Sequence, residues 1–243
     1  HEICGTIEEL PDDSGVISDS ELAVGDTVAV VPGISCGRCS YCRTFPHMEN
    51  YCQNRSAYGI NMSSSKEPHL FGGFSELLYV FPRFSVFKIP KAIPADRGVL
   101  VETLAVAMRA VERGIYPSSP YSMGVGIGSN LVIQGAGSIG ILAAISGKVL
   151  GAKVIVLEEM EHRIKAAKNF GLTAVNVDGL SEEERIARVR DLTEGKGADV
   201  IVECTGNLQA VNEGINMLRR GGRYVEMGHF ADVGHARLKP YTI

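Results

Sequence analysis

The second half of the chain repeats one pattern. Residues 131–134, 153–158, 174–177, 199–203 and 223–227 are short apolar runs, and longer stretches with helical spacing of apolar positions separate them. Runs apolar at consecutive positions suit strands covered on both faces, and strands that alternate with helices form a parallel sheet. The first half reads differently: runs at 3–8, 27–31, 74–80 and 86–89, parted by Gly, Pro, Asp and Ser, predict a small all-β unit. Between the halves, 103–113 predicts a helix ended by Gly114. The Pro-, Ser- and Gly-rich stretch 116–128 then leads into the second domain. Ser181 with Glu184 has the spacing of a capping box, and Gly171 and Gly221 stand where helices stop. The expected fold class is α/β, with domains at 1–115 and 116–243. Five candidate strands are one short of a full doubly wound nucleotide-binding sheet, so the chain is expected to be incomplete at both ends.

Composition narrows the partners. With 45% apolar and 21% charged residues among 243, the chain is of ordinary globular type. A net charge of -4 with no basic block argues against nucleic acid, and the apolar run 139–145 is broken by Gly147, Lys148 and Gly151, too soon for a membrane span. A small-molecule partner is the expectation. Six cysteines, four of them clustered, suit a reducing compartment, so cytoplasm is the expected location, with Cys4 and Cys204 as inert core residues in apolar strands. The chain begins at His1 rather than Met, so a leader would not be visible.

The cluster is Cys36, Cys39, Cys42 and Cys52, a C-x2-C-x2-C-x9-C spacing that lets four thiolates converge on a tetrahedral ion. Pro32, Gly33, Gly37 and Pro46 around it leave the lobe, about 33–56, little apolar material for a core of its own, so a structural zinc would replace that core. An iron-sulfur cluster is the rival, since C-x2-C-x2-C also opens the bacterial ferredoxin run; here the fourth Cys comes late and no Pro follows it. Free or bridged thiols are the plainer alternative, but cysteines at two-residue gaps could form only a strained local bridge.

Gly135, Gly137 and Gly140, with Ser138 and Ile139 between them, match G-x-G-x-x-G directly after an apolar strand and before an apolar helix. Glycines there permit a tight turn, approach of backbone amides to a pyrophosphate, and close packing of helix on strand, while the helix N-terminus favours the anion. Glu158 ends the next strand twenty-three residues beyond Gly135, where a carboxylate accepts from a ribose 2′-hydroxyl; this favours NAD over NADP. Arg163 could instead pair with a 2′-phosphate if Glu158 pointed away, and Glu158 with Glu159 could simply be an acidic helix start. Thr205 and Gly206 fall on the carboxyl edge where ligands bind such sheets, or are plain turn residues.

The order His1-Glu2-x-x-Gly5, Gly25-Asp26-Thr27-Val28-Ala29-Val30, the cysteine quartet, Gly72-Gly73-Phe74-Ser75-Glu76 and the glycine loop resembles the zinc-containing medium-chain dehydrogenases, among them alcohol, polyol and threonine dehydrogenases. The resemblance covers essentially the whole chain. It implies a GroES-like β domain followed by a Rossmann domain, and one structural and one catalytic zinc. It also implies NAD(P)-linked interconversion of an alcohol or polyol with a ketone or aldehyde, and a homodimer or homotetramer when full length. His1 and Glu102 would be catalytic zinc ligands, Glu2 the adjacent carboxylate that approaches the metal during ligand exchange, and Gly228 a neighbour of the nicotinamide. The family's first zinc ligand, a Cys, and its proton-relay Ser or Thr fall upstream of His1, and its last sheet strand falls downstream. A zinc-free quinone or enone reductase of the same superfamily, and a non-catalytic nucleotide-binding module, remain alternatives. Elsewhere, His47, His162 and His229 read as surface or turn residues, residues 182–185 as a charged helix start, and Tyr58 and Phe71 as pocket lining or packed loop core.

Overall fold

The computed structural model describes residues 2–46, 48–115, 124–228, 234–236 and 238. The chain forms two compact units, His1–Glu102 and Thr103–Ile243.

The first unit runs Ile3–Thr6 (β1), Thr27–Val30 (β2), Gly33–Ile34 (β3), Ser40–Thr44 (α1), Ser56–Ala57 (β4), Val86–Lys88 (β5) and Ala95–Gly98 (α2). β2 is the middle strand of an antiparallel sheet, with Ile3 opposite Val30 and Val30 opposite Val86, while β3 pairs with β4. Alternation along the pleat turns Val28 and Val30 to one face, where they pack with Ile3, Tyr58, Phe71, Phe84 and Val86. Tyr58 and Phe71 are therefore loop core. Tyr58 is fully buried, its hydroxyl donating to Tyr79 O at 2.7 Å and its ring 4.6 Å from that of Phe84. Residues 74–80, expected as a strand, form none. Ser75 Oγ lies 2.6 Å from Gly72 O and 2.7 Å from Leu77 O, so a side chain serves the local carbonyls that a ladder would use, and Phe74 is fully exposed.

In chain order, the second unit carries Val101–Gly114 (α3, which straddles the boundary), Asn130–Gln134 (β6), Ser138–Val149 (α4), Lys153–Glu158 (β7), Glu161–Asn169 (α5), Thr173–Asn176 (β8), Glu182–Leu192 (α6), Ala198–Glu203 (β9), Leu208–Met217 (α7) and Leu218–Glu226 (β10). All five strands are parallel in the order β10-β9-β6-β7-β8. Leu131, Ile133, Val154, Val156, Val200 and Val202 face α3, α4 and α5, and Val132, Ile155 and Ile201 face α6 and α7. Both faces are covered, which is why the runs are continuously apolar, and each fully buried Val or Ile is worth about 1.5–3 kcal/mol before entropy is counted. At the amino ends of the strands, the buried Asp199 carboxylate accepts from Asn130 N at 2.8 Å and from Arg219 Nε at 2.5 Å, tying β9 to β6 and β10.

The capping box forms as expected: Ser181 Oγ accepts from Glu184 N at 3.3 Å and the Glu184 carboxylate from Ser181 N at 2.8 Å. Gly171 follows α5 at φ +66°, also as expected. Gly221 does not end a helix. α7 stops at Met217 and passes straight into β10, and Gly221 (φ +71°) lies in the bulge where the β10 register shifts between Leu218 and Arg223.

Candidate functional site

In the first unit the four cysteines come together. Cys39 caps the one-turn α1 and accepts from Cys42 N, and a short helical turn at Glu49–Tyr51 returns the chain to Cys52. All four sulfurs lie within 4.8 Å of one another, with Cys39 and Cys42 Sγ at 3.4 Å and Cys36 and Cys42 Sγ at 4.0 Å. Sulfurs on a zinc tetrahedron stand roughly 3.8 Å apart, so the donor set fits that ion. Backbone N–H groups already point at them: Cys36 N donates to Cys52 Sγ at 3.2 Å and Asn54 N at 3.4 Å. The Arg38 and Cys39 amides draw the Cys36 thiol down to about 6, whereas burial and the neighbouring thiols push Cys42 up to about 11. All six cysteines are free.

His1 lies outside the described residues. Glu2 and Glu102 are within electrostatic reach of each other: burial first, then the charge of Glu2, raises the Glu102 carboxyl, and Arg55 opposes this. Nothing in the spacing marks Arg55. It precedes β4 and lies flat on Gly33, where a Cβ would come within 2.0 Å of its guanidinium. Its Nε has no hydrogen-bond partner among the described residues.

In the second unit the glycine loop joins β6 to α4. Gly135 takes φ +91°, and its N–H continues the ladder to Leu157 O at 2.8 Å. A Cβ at Gly140 would lie 2.0 Å from Gly135 O, so helix and loop touch through backbone. Gly137 is the N-cap of α4, with nothing within 4 Å of where its Cβ would be. Ile141 N makes the first helical bond, to Gly137 O, so the amides of Ser138, Ile139 and Gly140 are first-turn donors in the residues next to that open space. The space and donors fit a pyrophosphate.

Glu158 points into this loop. Its carboxylate accepts from Ala136 N at 2.7 Å, Glu159 N at 2.8 Å and Met160 N at 2.9 Å, with Arg163 Nη1 3.7 Å away. Burial would raise its pKa, but these amides and Arg163 outweigh it and hold the carboxyl below its usual value. The helix starts later, at Glu161, so Glu158 is a strand-end residue. Across β6, Thr205, Gly206 and Gly228 lie together at the carboxyl ends of β9 and β10: a Cβ on Gly206 would be 2.8 Å from Gly228 O. Under them sits Glu203, fully buried, which sequence reasoning passed over; its signal was a carboxylate closing an apolar run just before Thr205-Gly206. His162 is exposed, and His47 and His229 lie outside the described residues.

A β unit with a thiolate cluster, followed by a parallel sheet with a dinucleotide-type loop, defines a two-domain dehydrogenase architecture. Residues 1–91 match the alcohol dehydrogenase GroES-like domain, and residues 138–242 match the zinc-binding dehydrogenase family. The chain belongs to the zinc-containing medium-chain dehydrogenases. It is 33% identical over 225 residues to D-xylulose reductase A of Aspergillus niger, covering 88% of this chain and 57% of that protein. An alcohol dehydrogenase structure from Thermotoga maritima superposes with a TM-score of 0.80 at 33% identity, covering 91% of this chain and 59% of that one. A zinc-binding dehydrogenase structure from Sinorhizobium meliloti bound to NADP gives 0.79 at 27% identity, over 100% of this chain and 64% of that one. The chain thus spans somewhat more than half the length of these relatives.

Proposed function

We propose that the whole protein is a zinc-dependent oxidoreductase that transfers hydride between an alcohol or polyol and NAD(P), giving a ketone or aldehyde. The observation that carries the reading is the start of α4, where three first-turn amides meet open space beside Gly137. Those amides hold the pyrophosphate, Glu158 faces the adenosine ribose, and Thr205 and Gly228 border the other half of the cofactor. The bound nicotinamide supplies the hydride acceptor or donor. His1 and Glu102, with Glu2 as the adjacent carboxylate, hold a catalytic zinc; burial first, and then the charge of Glu2, raises the Glu102 carboxyl, an effect a cation there relieves. A zinc ion there supplies the electrostatic pull that acidifies a substrate hydroxyl. The cysteine quartet holds a second, structural zinc. A named ketose reductase among the relatives supports a polyhydroxylated substrate. The whole protein is a homodimer or homotetramer in the cytoplasm, a reducing setting that suits free thiols. Among the described residues no helix is long and apolar enough to cross a membrane.

The test is a panel of alcohols and polyols with NAD and with NADP on the full-length protein, followed at the reduced-cofactor absorbance, with zinc counted per chain. Two zincs and reduction of NAD by a polyol are expected. One zinc with turnover of quinones or enones overturns the reading.

A further inference from the structure

The geometry points to Glu203 as the residue that positions the nicotinamide half of the cofactor, by bracing the loops that follow β9 and β10. This rests on the dinucleotide reading above. β6 is the central strand, with β7 and its Glu158 on one side and β9 and β10 on the other. A dinucleotide whose adenosine ribose meets Glu158 and whose pyrophosphate sits at α4 extends its remaining half over β9 and β10.

Glu203 is 0% exposed at the end of a wholly buried strand, a place where a carboxylate is costly unless its oxygens are hydrogen-bonded. Its Oε1 accepts from Thr205 N at 2.5 Å, Gly206 N at 3.0 Å and the Thr205 hydroxyl. Its Oε2 faces Gly228, where a Cβ would lie 2.3 Å from that oxygen and 2.2 Å from Gly206 N. Thr205 in turn abuts the glycine loop: a Cβ at Gly135 would be 2.8 Å from Thr205 Cγ2. One carboxylate therefore sets the turn 204–206 against Gly135 on one side and Gly228 on the other. The backbone ladder continues on both flanks, with Cys204 N donating to Gln134 O at 2.9 Å and Met227 N to Glu203 O at 3.1 Å. Side-chain bracing is thus confined to the turn, and its loss shifts the turn without unzipping the sheet.

Glu203 touches no reacting atom in this account. Its signature is a split between two ligands: NADH, which spans both halves, and ADP-ribose, which lacks nicotinamide. For Glu203→Gln, charge-assisted bonds become neutral ones, so NADH titrated by its fluorescence should bind about tenfold more weakly. ADP-ribose, measured by calorimetry, should stay within about twofold, because the glycine loop keeps its own anchors, Gly135 N on Leu157 O, Ala136 N on the Glu158 carboxylate and Ile141 N on Gly137 O, none of which involves Glu203. Thr205→Val, which deletes only the hydroxyl donor, should weaken NADH about threefold with the same selectivity; it carries the test if Glu203→Gln shows no cooperative melt. Equal weakening of both ligands, or of neither, overturns the inference while leaving the dinucleotide site intact. Failure of the unsubstituted chain to bind either ligand overturns the dinucleotide reading itself.

Discussion

Alanine at Gly140 and alanine at Gly137 lie three residues apart in the same loop, yet the structure assigns them opposite consequences. At Gly140 the new methyl would sit 2.0 Å from the Gly135 carbonyl oxygen and 3.4 Å from Ile133 Cγ2. The oxygen must retreat by roughly 1.4 Å to reach ordinary contact, and it belongs to a residue at φ +91°. Overpacking of this kind costs about 1–3 kcal/mol, while the helix propensity gained over Gly is at most about 1 kcal/mol. Gly140→Ala is therefore expected to lose about 1–2 kcal/mol of stability, and cofactor affinity as well, because the displaced loop carries the amides. At Gly137 the backbone is extended, φ −67° and ψ −174°, and a Cβ meets nothing within 4 Å. Gly137→Ala should fold as well as the parent or gain about 0.5 kcal/mol, since alanine restricts the unfolded chain. Its methyl nevertheless fills the space beside the first-turn amides, so NADH should bind at least tenfold more weakly, about 1.4 kcal/mol. Urea unfolding and NADH fluorescence titration on the two variants decide it. If Gly137→Ala binds NADH as the parent does, or if Gly140→Ala matches the parent in stability, the assignment of anion site and contact site is refuted.

Three further outcomes are expected. In metal-free protein at pH 7, iodoacetamide should alkylate Cys36, whose pKa lies near 6, well before Cys42, which lies near 11; peptide mass spectrometry reads the order, and zinc should protect both. Glu158 is held below its unfolded pKa of about 4.3, so its stabilising contribution is complete above that value and is lost as pH falls through the lower folded value. The stability gap between the parent and Glu158→Gln should accordingly be constant near neutrality and shrink below about pH 4, seen as converging urea midpoints. Tyr58→Phe should destabilise by about 1–2 kcal/mol, because the Tyr79 carbonyl loses its buried donor while the ring contacts with Phe84 stay.

What could be read from the chain followed physical simplicity. β6, β7 and β9 are legible because strands covered on both faces must be apolar throughout, and Leu131-Val132-Ile133 satisfies that with no competing pattern. The cysteine quartet and Gly135-x-Gly137-x-x-Gly140 were legible because each is local: a ligand set or turn whose members are close in sequence. Residues 74–80 misled because a short apolar-rich run between turn residues cannot report that Ser75 serves neighbouring carbonyls, leaving Phe74 without a sheet to cover. Gly221 misled because a positive φ suits a bulge as well as a helix stop, and only the pairing of β10 with β9 distinguishes them. Glu203 and Arg55 went unseen for the same reason. Their meaning depends on partners such as Gly228 and Gly33, which lie elsewhere in the chain and carry no side chain to announce the contact.

β9 holds a carboxylate near each end, Asp199 gripping the strand starts and Glu203 the turn beyond the strand finish. Their separation is a built-in ruler, because inserting or removing one residue between them would swing one of the two grips to the wrong face of the pleat. Anyone splicing segments from a relative into this chain should accordingly carry residues 199–206 across as one indivisible cassette, with Arg219 and Gly228 travelling alongside.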